Sequence, residues 1–226
     1  MGSVWTIVVA AGSGSRFGRP KQYQPLGDRR VLDWALRASR LASDGVVLVV
    51  PGEQADDAEP GADQVVPGHA SRSGSVRAGL DAVPLDAEIV VVHDGARPLA
   101  TSDLFASVIA TVRDGAAAAV PAVPVTDTVR SRGGGVVDRG DLVAVQTPQA
   151  FRATDLRAAH AGGNQATDDA SLVEAGGGVV ALVPGAATNL KITYPTDLLV
   201  AEALLPGVLA EHSPALRRRD RQAEAR

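Results

Sequence analysis

The sequence predicts a single α/β domain, Rossmann-like, with a mostly parallel sheet flanked by helices and a protruding β-arm. Three observations predict it. Apolar runs of four to seven residues alternate with segments of helical period, the pattern that βαβ units make when parallel strands are buried on both faces. Hydrophobic residues are 45% of the 226 residues while aromatics are 3%, so Val, Leu and Ala must fill the core, which suits strands covered by helices. No long Pro/Ser-rich or charged stretch interrupts the chain before residue 205, so one domain over residues 1–206 is expected instead of two.

The elements follow in order. Val4 to Ala10 is a continuous apolar run and reads as the first strand; Val31 to Leu41, with apolar residues at 31, 32, 34, 36 and 41, has a helical stripe. Val46 to Val50, the short Gln64 to Val66 and Ile89 to Val92 read as strands. Ser102 is placed to cap a helix whose apolar face is Leu104, Phe105, Val108, Ile109 and Val112. Ala116 to Val123 and Val179 to Val183 are further strands. A last helix follows Thr196, with a stripe of Leu198, Leu199, Ala201, Leu204 and Leu205, and is expected to stop before Pro206-Gly207. Residues 207–226, with an Arg run at 217 to 219, read as a charged, disordered tail. Between Pro124 and Gln149 the alternation breaks. Gly133-Gly134-Gly135 lies between two extended segments there, which fits a hairpin arm leaving the sheet or, as the rival reading, a disordered loop.

Composition narrows the chemistry. A formal net charge of -4 argues against a nucleic-acid polymer as partner but leaves room for a locally basic phosphate pocket. Without cysteine there is no disulfide framework, thiolate metal site or cysteine nucleophile, which suits a cytoplasmic protein. No cationic segment precedes the first apolar run and no run approaches membrane-spanning length, so no membrane partner is expected.

The first strand opens into Ala11-Gly12-Ser13-Gly14-Ser15-Arg16-Phe17-Gly18, where glycines let backbone N–H groups approach a phosphate. The spacing G-x-G-x-x-x-G is one residue longer than the dinucleotide fingerprint, and no G-K-[ST] ending follows. Arg16 and Lys21 put two cations within and just after the loop; they read either as anchors for triphosphate oxygens or as solvated surface charges. Loops after parallel strands emerge at one sheet edge, so Arg16, Ser75, Asp94 and Thr128 are expected to share a cleft, against the plainer alternative of scattered polar loops. His93, at a strand end, reads as a packing or hydrogen-bonding histidine and is assigned no chemistry.

Residues 10 to 23, A-A-G-S-G-S-R-F-G-R-P-K-Q-Y, resemble the nucleotide loop of sugar-phosphate nucleotidyltransferases. Ser71 to Leu80, His93 to Pro98, Gln146 to Gln149, Thr167 to Ser171 and Asn189 to Thr193 complete six stretches in order. Together, over roughly residues 4 to 204, they resemble the 2-C-methyl-D-erythritol 4-phosphate cytidylyltransferase family. The resemblance implies transfer of CMP from CTP to that polyol phosphate, giving 4-diphosphocytidyl-2-C-methyl-D-erythritol and pyrophosphate in non-mevalonate isoprenoid synthesis. It implies that Ala10 and Ala11 offer backbone groups to the base, that Gly12, Ser13 and Gly14 meet the phosphates, and that Gly68, Arg72 and Ser75 lie near cytosine and ribose. Asp94 would meet both substrates. Arg97, Thr128, Arg139, Thr167 and Lys191 would bind the polyol phosphate, with Arg16, Lys21, Arg139 and Lys191 catalytic. No residue is assigned to metal; Mg2+ is expected mainly on CTP oxygens.

Plainer readings stand beside several of these. Asp94 and Arg97 suit a turn-shaping ion pair, Ser75 a helix start, and Lys191 a strand-edge lysine. The expected step is in-line attack by the polyol phosphate on the α-phosphorus; its second pKa near 6 makes a general base unnecessary. The glycine-rich arm is too poor in apolar residues to bury a core alone and is expected to pack on a second copy, and the resemblance implies that it lends Thr128 and Arg139 to the neighbour's cleft. This chain departs from the family in three places: the Arg16 to Lys21 segment looks about two residues short, the Thr128 to Arg139 arm is short, and Ala70 stands where an acidic or polar residue is common. A ribitol 5-phosphate cytidylyltransferase is the nearest rival, a non-catalytic nucleotide-binding module the rival from another class, and a dehydrogenase lacks its fingerprint.

Overall fold

Residues 2–211 are described by the structure, a computed structural model. In chain order it runs β1 (Val4–Val9), a small ribbon of β2 (Pro25–Leu26) and β3 (Arg29–Arg30), α1 (Val31–Ala42), β4 (Gly45–Val50), β5 (Gln64–Pro67), α2 (Arg72–Ala82) and β6 (Ile89–Asp94). The second half holds α3 (Ser102–Arg113), β7 (Ala118–Pro124), β8 (Val129–Arg130), β9 (Val136–Val137), β10 (Val143–Val145), β11 (Gln149–Arg152), α4 (Ala153–Ala161), α5 (Asp169–Ala175), β12 (Val180–Pro184) and α6 (Pro195–Glu211). The main sheet has the order β10-β7-β11-β6-β1-β4-β5, with β12 on β7. Strands β5, β4, β1 and β6 are parallel, as are β7 and β12, whereas β10 and β11 run antiparallel to their neighbours.

The buried valine runs explain the layers. Alternate residues face opposite sides of a strand. Ile7, Val47, Val49, Val90 and Val92 pack with Val76 and Leu80 of α2 and Leu156 of α4. On the other face Val8, Val46 and Leu48 meet Leu32 and Leu36 of α1, while Ile89 and Val91 meet Phe105, Val108 and Ile109 of α3. Each such fully buried side chain contributes about 1.5–3 kcal/mol. Helices on both faces force the loops after β1, β5 and β6 to one edge. After β1 the chain builds outward to β4 and β5, then returns to lay β6 on β1's other side with Val9 opposite Asp94. That reversal leaves a crevice beyond the ends of β1 and β6, where open α/β sheets take their ligands.

The arm is a hairpin. β8 and β9 pair as an antiparallel ribbon, Gly134 and Gly135 turn at φ of 110° and 80°, and β10 rejoins the sheet on β7. Val136, Val143 and Val145 stand exposed along it, as does Leu182 of β12 on the neighbouring edge.

Three expectations are corrected. Thr101, not Ser102, caps α3, accepting the Leu104 N–H at 3.2 Å. Pro206-Gly207 does not stop the last helix, which continues to Glu211. Leu205 and Val208, both 6% exposed, pack on a cluster with Leu26, Trp34 and Ile192, and that burial outweighs the intrahelical hydrogen bond proline removes. The domain therefore extends beyond residue 206, and the rest of the expected tail, 212–226, lies outside the described residues. Leu41, placed on the buried stripe of α1, is 64% exposed; Ala35 and Ala38 take its place.

Candidate active site

The crevice holds about 510 Å³ and is walled by the loop from Ala10 to Phe17, by Lys21 and Gln22, by His69 to Arg72 with Ser75, and by Asp94, Lys191 and Thr193. The glycine loop is shaped by its own backbone. Phe17 and Gly18 N–H groups both donate to the Gly14 carbonyl, at 2.8 and 2.9 Å, and Gly14 adopts φ of 70° where a Cβ would overlap the Arg19 carbonyl. The N–H groups of Gly12, Ser13, Gly14 and Ser15 make no hydrogen bond within the described residues, leaving them for an anion. A Cβ on Gly12 would meet open space, so the backbone there faces the crevice directly. Gln22, unassigned from sequence, fixes the loop's base: its amide Nε2 donates to the carbonyls of Ala10 at 2.8 Å and Gly12 at 3.3 Å. The Ala10 N–H donates to Val49, so of Ala10's two backbone groups only the carbonyl's second lone pair is left to serve a ligand.

Asp94 is the electrostatic centre of the floor. One oxygen, Oδ2, lies 2.8 Å from Lys191 Nζ and 3.6 Å from Arg97 Nε; the other, Oδ1, lies 3.9 Å from Arg72 Nε. Burial alone would raise this carboxyl, but Lys191, Arg72 and Arg97 outweigh it and hold Asp94 well below the usual carboxylate range. The Lys21 pKa is lowered too, here at the expense of the charged form: burial, then Lys191 and Arg16 nearby, bring it below the ordinary lysine value. Three cations thus converge on one end of the crevice, a field that an arriving polyphosphate relieves.

A buried network carries Asp94. Its N–H donates to Thr147 Oγ1 at 3.0 Å, so the Thr147 hydrogen is assigned to His93 Nδ1, 3.1 Å away. His93 Nε2–H then donates to the Arg97 carbonyl at 3.3 Å. Both ring nitrogens are engaged with the ring neutral, and complete burial lowers the His93 pKa from 6.5 to about 4. This matches the reading of His93 as a hydrogen-bonding residue. Asn189 adds to the frame, donating to Thr147's carbonyl at 3.0 Å and taking Arg97 Nη1 on its own carbonyl at 2.7 Å.

The sequence-derived residues divide clearly. Ala10 to Gly14, Arg16, Lys21, Arg72, Ser75, Asp94 and Lys191 all line the one crevice. Gly68 stands just behind its wall, where a Cβ would overlap that of Ala11. Ser75 Oγ accepts the His69 N–H at 3.0 Å and shapes the wall, while α2 starts three residues earlier with Ser71 as its cap. Arg97 is 9% exposed and sits behind Asp94 as a buried brace, off the crevice surface. Thr128 and Arg139 lie on the arm, outside this chain's own crevice; the Arg139 guanidinium donates to the Thr126 carbonyl. Thr128 is thus not among the four loop residues that meet. Thr167 lies exposed on the loop before α5, also off the lining. Sequence reasoning missed Gln22, Thr147, Asp169 and His160. Gln22, Thr147 and Asp169 sit inside quoted motifs and His160 outside them; Gln22 bonds within its own motif, whereas Thr147 and Asp169 meet Asp94, His93 and Arg72 from far along the chain.

Among the described residues no group of three or more His, Asp or Glu side chains gathers around a point that would hold a metal ion. No described helix is long and apolar enough to cross a membrane.

A mostly parallel sheet with free loop N–H groups at its switch point, faced by converging cations, defines an α/β protein whose crevice is suited to an anionic ligand. The family model for 2-C-methyl-D-erythritol 4-phosphate cytidylyltransferase matches residues 4–206, and the chain belongs to that family of enzymes. The 2-C-methyl-D-erythritol 4-phosphate cytidylyltransferase of Rhodococcus opacus is 44% identical over 219 residues, spanning 90% of this chain and 96% of the relative. A bifunctional enzyme IspD/IspF of Solidesulfovibrio magneticus is 41% identical over 233 residues; the match takes in 91% of this chain but 58% of that longer protein. The crystal structure of 2-C-methyl-D-erythritol 4-phosphate cytidylyltransferase from Thermus thermophilus superimposes with a TM-score of 0.76 at 41% identity, covering 90% of this chain and 98% of that one.

Proposed function

We propose that the chain transfers CMP from CTP to 2-C-methyl-D-erythritol 4-phosphate, releasing pyrophosphate, and that it does so as a cytoplasmic homodimer. The observation that carries the reading is the convergence of Arg16, Lys21 and Lys191 on a loop of unengaged N–H groups, with a single carboxylate, Asp94, fixed among them. An oxygen of the polyol phosphate forms a bond to the α-phosphorus while the bond to the bridging oxygen of the β-phosphate breaks, and the electron pair leaves with pyrophosphate. The attacking phosphate is largely dianionic at neutral pH, so no proton need be removed. Catalysis then reduces to alignment and charge neutralisation. The loop N–H groups, Arg16 and Lys21 hold the triphosphate. Lys191, steered by Asp94, orients the incoming phosphate. Magnesium enters with CTP as part of the substrate, since the crevice offers Asp94 as its carboxylate and that group is engaged by Lys191.

The arm supports a dimer. It carries exposed valines, and its Thr128 and Arg139 have no place at their own crevice, which suits donation to a partner's. A chain without cysteine suits a reducing compartment. The relatives favour methylerythritol over the ribitol reading. Initial rates of pyrophosphate release with each polyol phosphate, and with CTP against UTP, test the proposal. Release with CTP and 2-C-methyl-D-erythritol 4-phosphate is expected, and comparable turnover of ribitol 5-phosphate or of UTP would overturn the substrate assignment.

A further inference from the structure

We infer that Asp169 and His160 are positioning residues for Arg72 and thereby set the affinity of the crevice for CTP. This deepens the cytidylyl-transfer reading and rests on it. Arg72 opens α2 and lines the crevice, its side chain 24% exposed. Its Nη1 lies 2.5 Å from Asp169 Oδ2 on the first turn of α5, a residue 97 positions away in the chain and wholly buried. The second carboxylate oxygen, Oδ1, accepts the His160 Nε2–H at 3.1 Å. His160, 3% exposed on α4, has no partner for Nδ1 among the described residues, so its polar engagement is with Asp169. A buried carboxylate is stable there only when both oxygens are satisfied, and here one is held by Arg72 and the other by His160.

The surroundings make the pairing a mount for Arg72 and not merely a core contact. Ser73 Oγ donates to the Ala166 carbonyl at 3.0 Å and accepts the Ala166 N–H at 3.1 Å, and Arg77 donates to Asn164 at 2.9 Å. The first two turns of α2 are therefore clipped to the segment that joins α4 and α5. Arg72 also lies 3.9 Å from Asp94 Oδ1, on the opposite oxygen from Lys191. Released from Asp169, its guanidinium swings onto Asp94 Oδ1 and away from the nucleotide, while Lys191 keeps Oδ2. Since Asp94 stands between Arg72 and Lys191, the loss falls on nucleotide binding more than on the transfer step.

The test measures CTP binding by calorimetry and initial rates for the full chain and for Asp169→Asn, with thermal melts beside them. The KM and Kd for CTP are expected to rise about tenfold in Asp169→Asn with kcat within about twofold, since one charge-assisted contact used equally in ground and transition state is lost. The KM for the polyol phosphate should stay unchanged, and Asp169→Glu should restore most of the affinity. Arg72→Ala should weaken CTP by a similar factor, and the double variant Arg72→Ala/Asp169→Asn no further, because the two act as one unit. Should Asp169→Asn fail to fold, His160→Phe, which keeps a planar aromatic ring but loses the donor, carries the test with an expected rise of about threefold. An unchanged CTP Kd in the folded variant, or losses that multiply in the double variant, overturns the inference alone. Absence of CTP binding by the wild-type chain overturns the functional reading and the inference with it.

Discussion

Acidification from pH 7 to 4 should weaken this fold through His93 before the site carboxylate is touched. The ring is wholly buried, neutral, and engaged at both nitrogens by Thr147 and Arg97. Its folded pKa is about 4 against 6.5 unfolded. Because the folded value is the lower one, the unfolded chain binds the proton first. The stability His93 confers is complete above pH 6.5, drains away as pH falls towards 4, and has no more to lose below it. The gap from 6.5 to about 4, at about 1.4 kcal/mol for each pH unit, amounts to roughly 3 kcal/mol. Complete burial leaves no solvent screening to discount. Asp94 carries the same sign in a different window: its depressed pKa gives stability present above the unfolded carboxylate value and lost only at lower pH still. Urea midpoints at pH 7, 6, 5 and 4 for the wild type and for His93→Asn isolate the effect, since the other histidines remain in both. The wild type should lose about 3 kcal/mol more than the variant across the series. Parallel stability curves, or an imidazole resonance of His93 titrating near 6.5 by NMR, would refute the reasoning; the NMR midpoint stands even if the variant does not fold.

Arg16→Ala and Lys21→Ala should each lower kcat by about 10²–10³-fold, with thermal unfolding almost unmoved, because preorganised charge is lost without opening a cavity. Near-normal turnover in either would reassign the pair as surface charges. Two glycine substitutions should separate loop shape from ligand approach. Gly12→Ala points its methyl into open space and should leave the melting temperature alone while raising the KM for CTP. Gly68→Ala crowds Ala11, Ser75 and Val49 and should cost about 1–3 kcal/mol of stability. Exchange of subunits between Arg16→Ala and Arg139→Ala proteins tests the arm: random mixing makes half the dimers mixed, each with one intact site, so activity should return to about a quarter of wild type. Mixed dimers that form and stay inactive would show that Arg139 does not act in trans.

Much of the fold was legible because unbroken valine runs have one simple fate in an α/β chain. β1, β4 and β6 follow directly from Val4 to Ala10, Val46 to Val50 and Ile89 to Val92. The glycine loop and its two cations were legible too, since residues 10 to 23 carry their chemistry locally. Other elements hid for physical reasons. Helix α2 has little amphipathic signal and contains Gly74 and Gly79, yet Gly79 is what lets it lie on β1, where a Cβ would stand 2.5 Å from Ile7 Cγ2. The antiparallel β11 is four residues long and holds its place only by pairing with both β6 and β7. Pro206-Gly207 read as a stop because local propensity cannot know that Leu205 and Val208 are buried on Trp34 and Leu26. The support of Arg72 by Asp169 and His160 joins three helices and leaves no local trace in the sequence.

In the proposed reaction a cytidylyl group passes directly from CTP to the phosphate of the polyol. Single turnover with CTP labelled at the α-phosphorus, in excess enzyme with 2-C-methyl-D-erythritol 4-phosphate, follows that group. The label should appear in the cytidine diphosphate-linked polyol in step with pyrophosphate, and never on the protein. Label released as free CMP, retained on the chain, or left in CTP while the polyol phosphate is bound would contradict it.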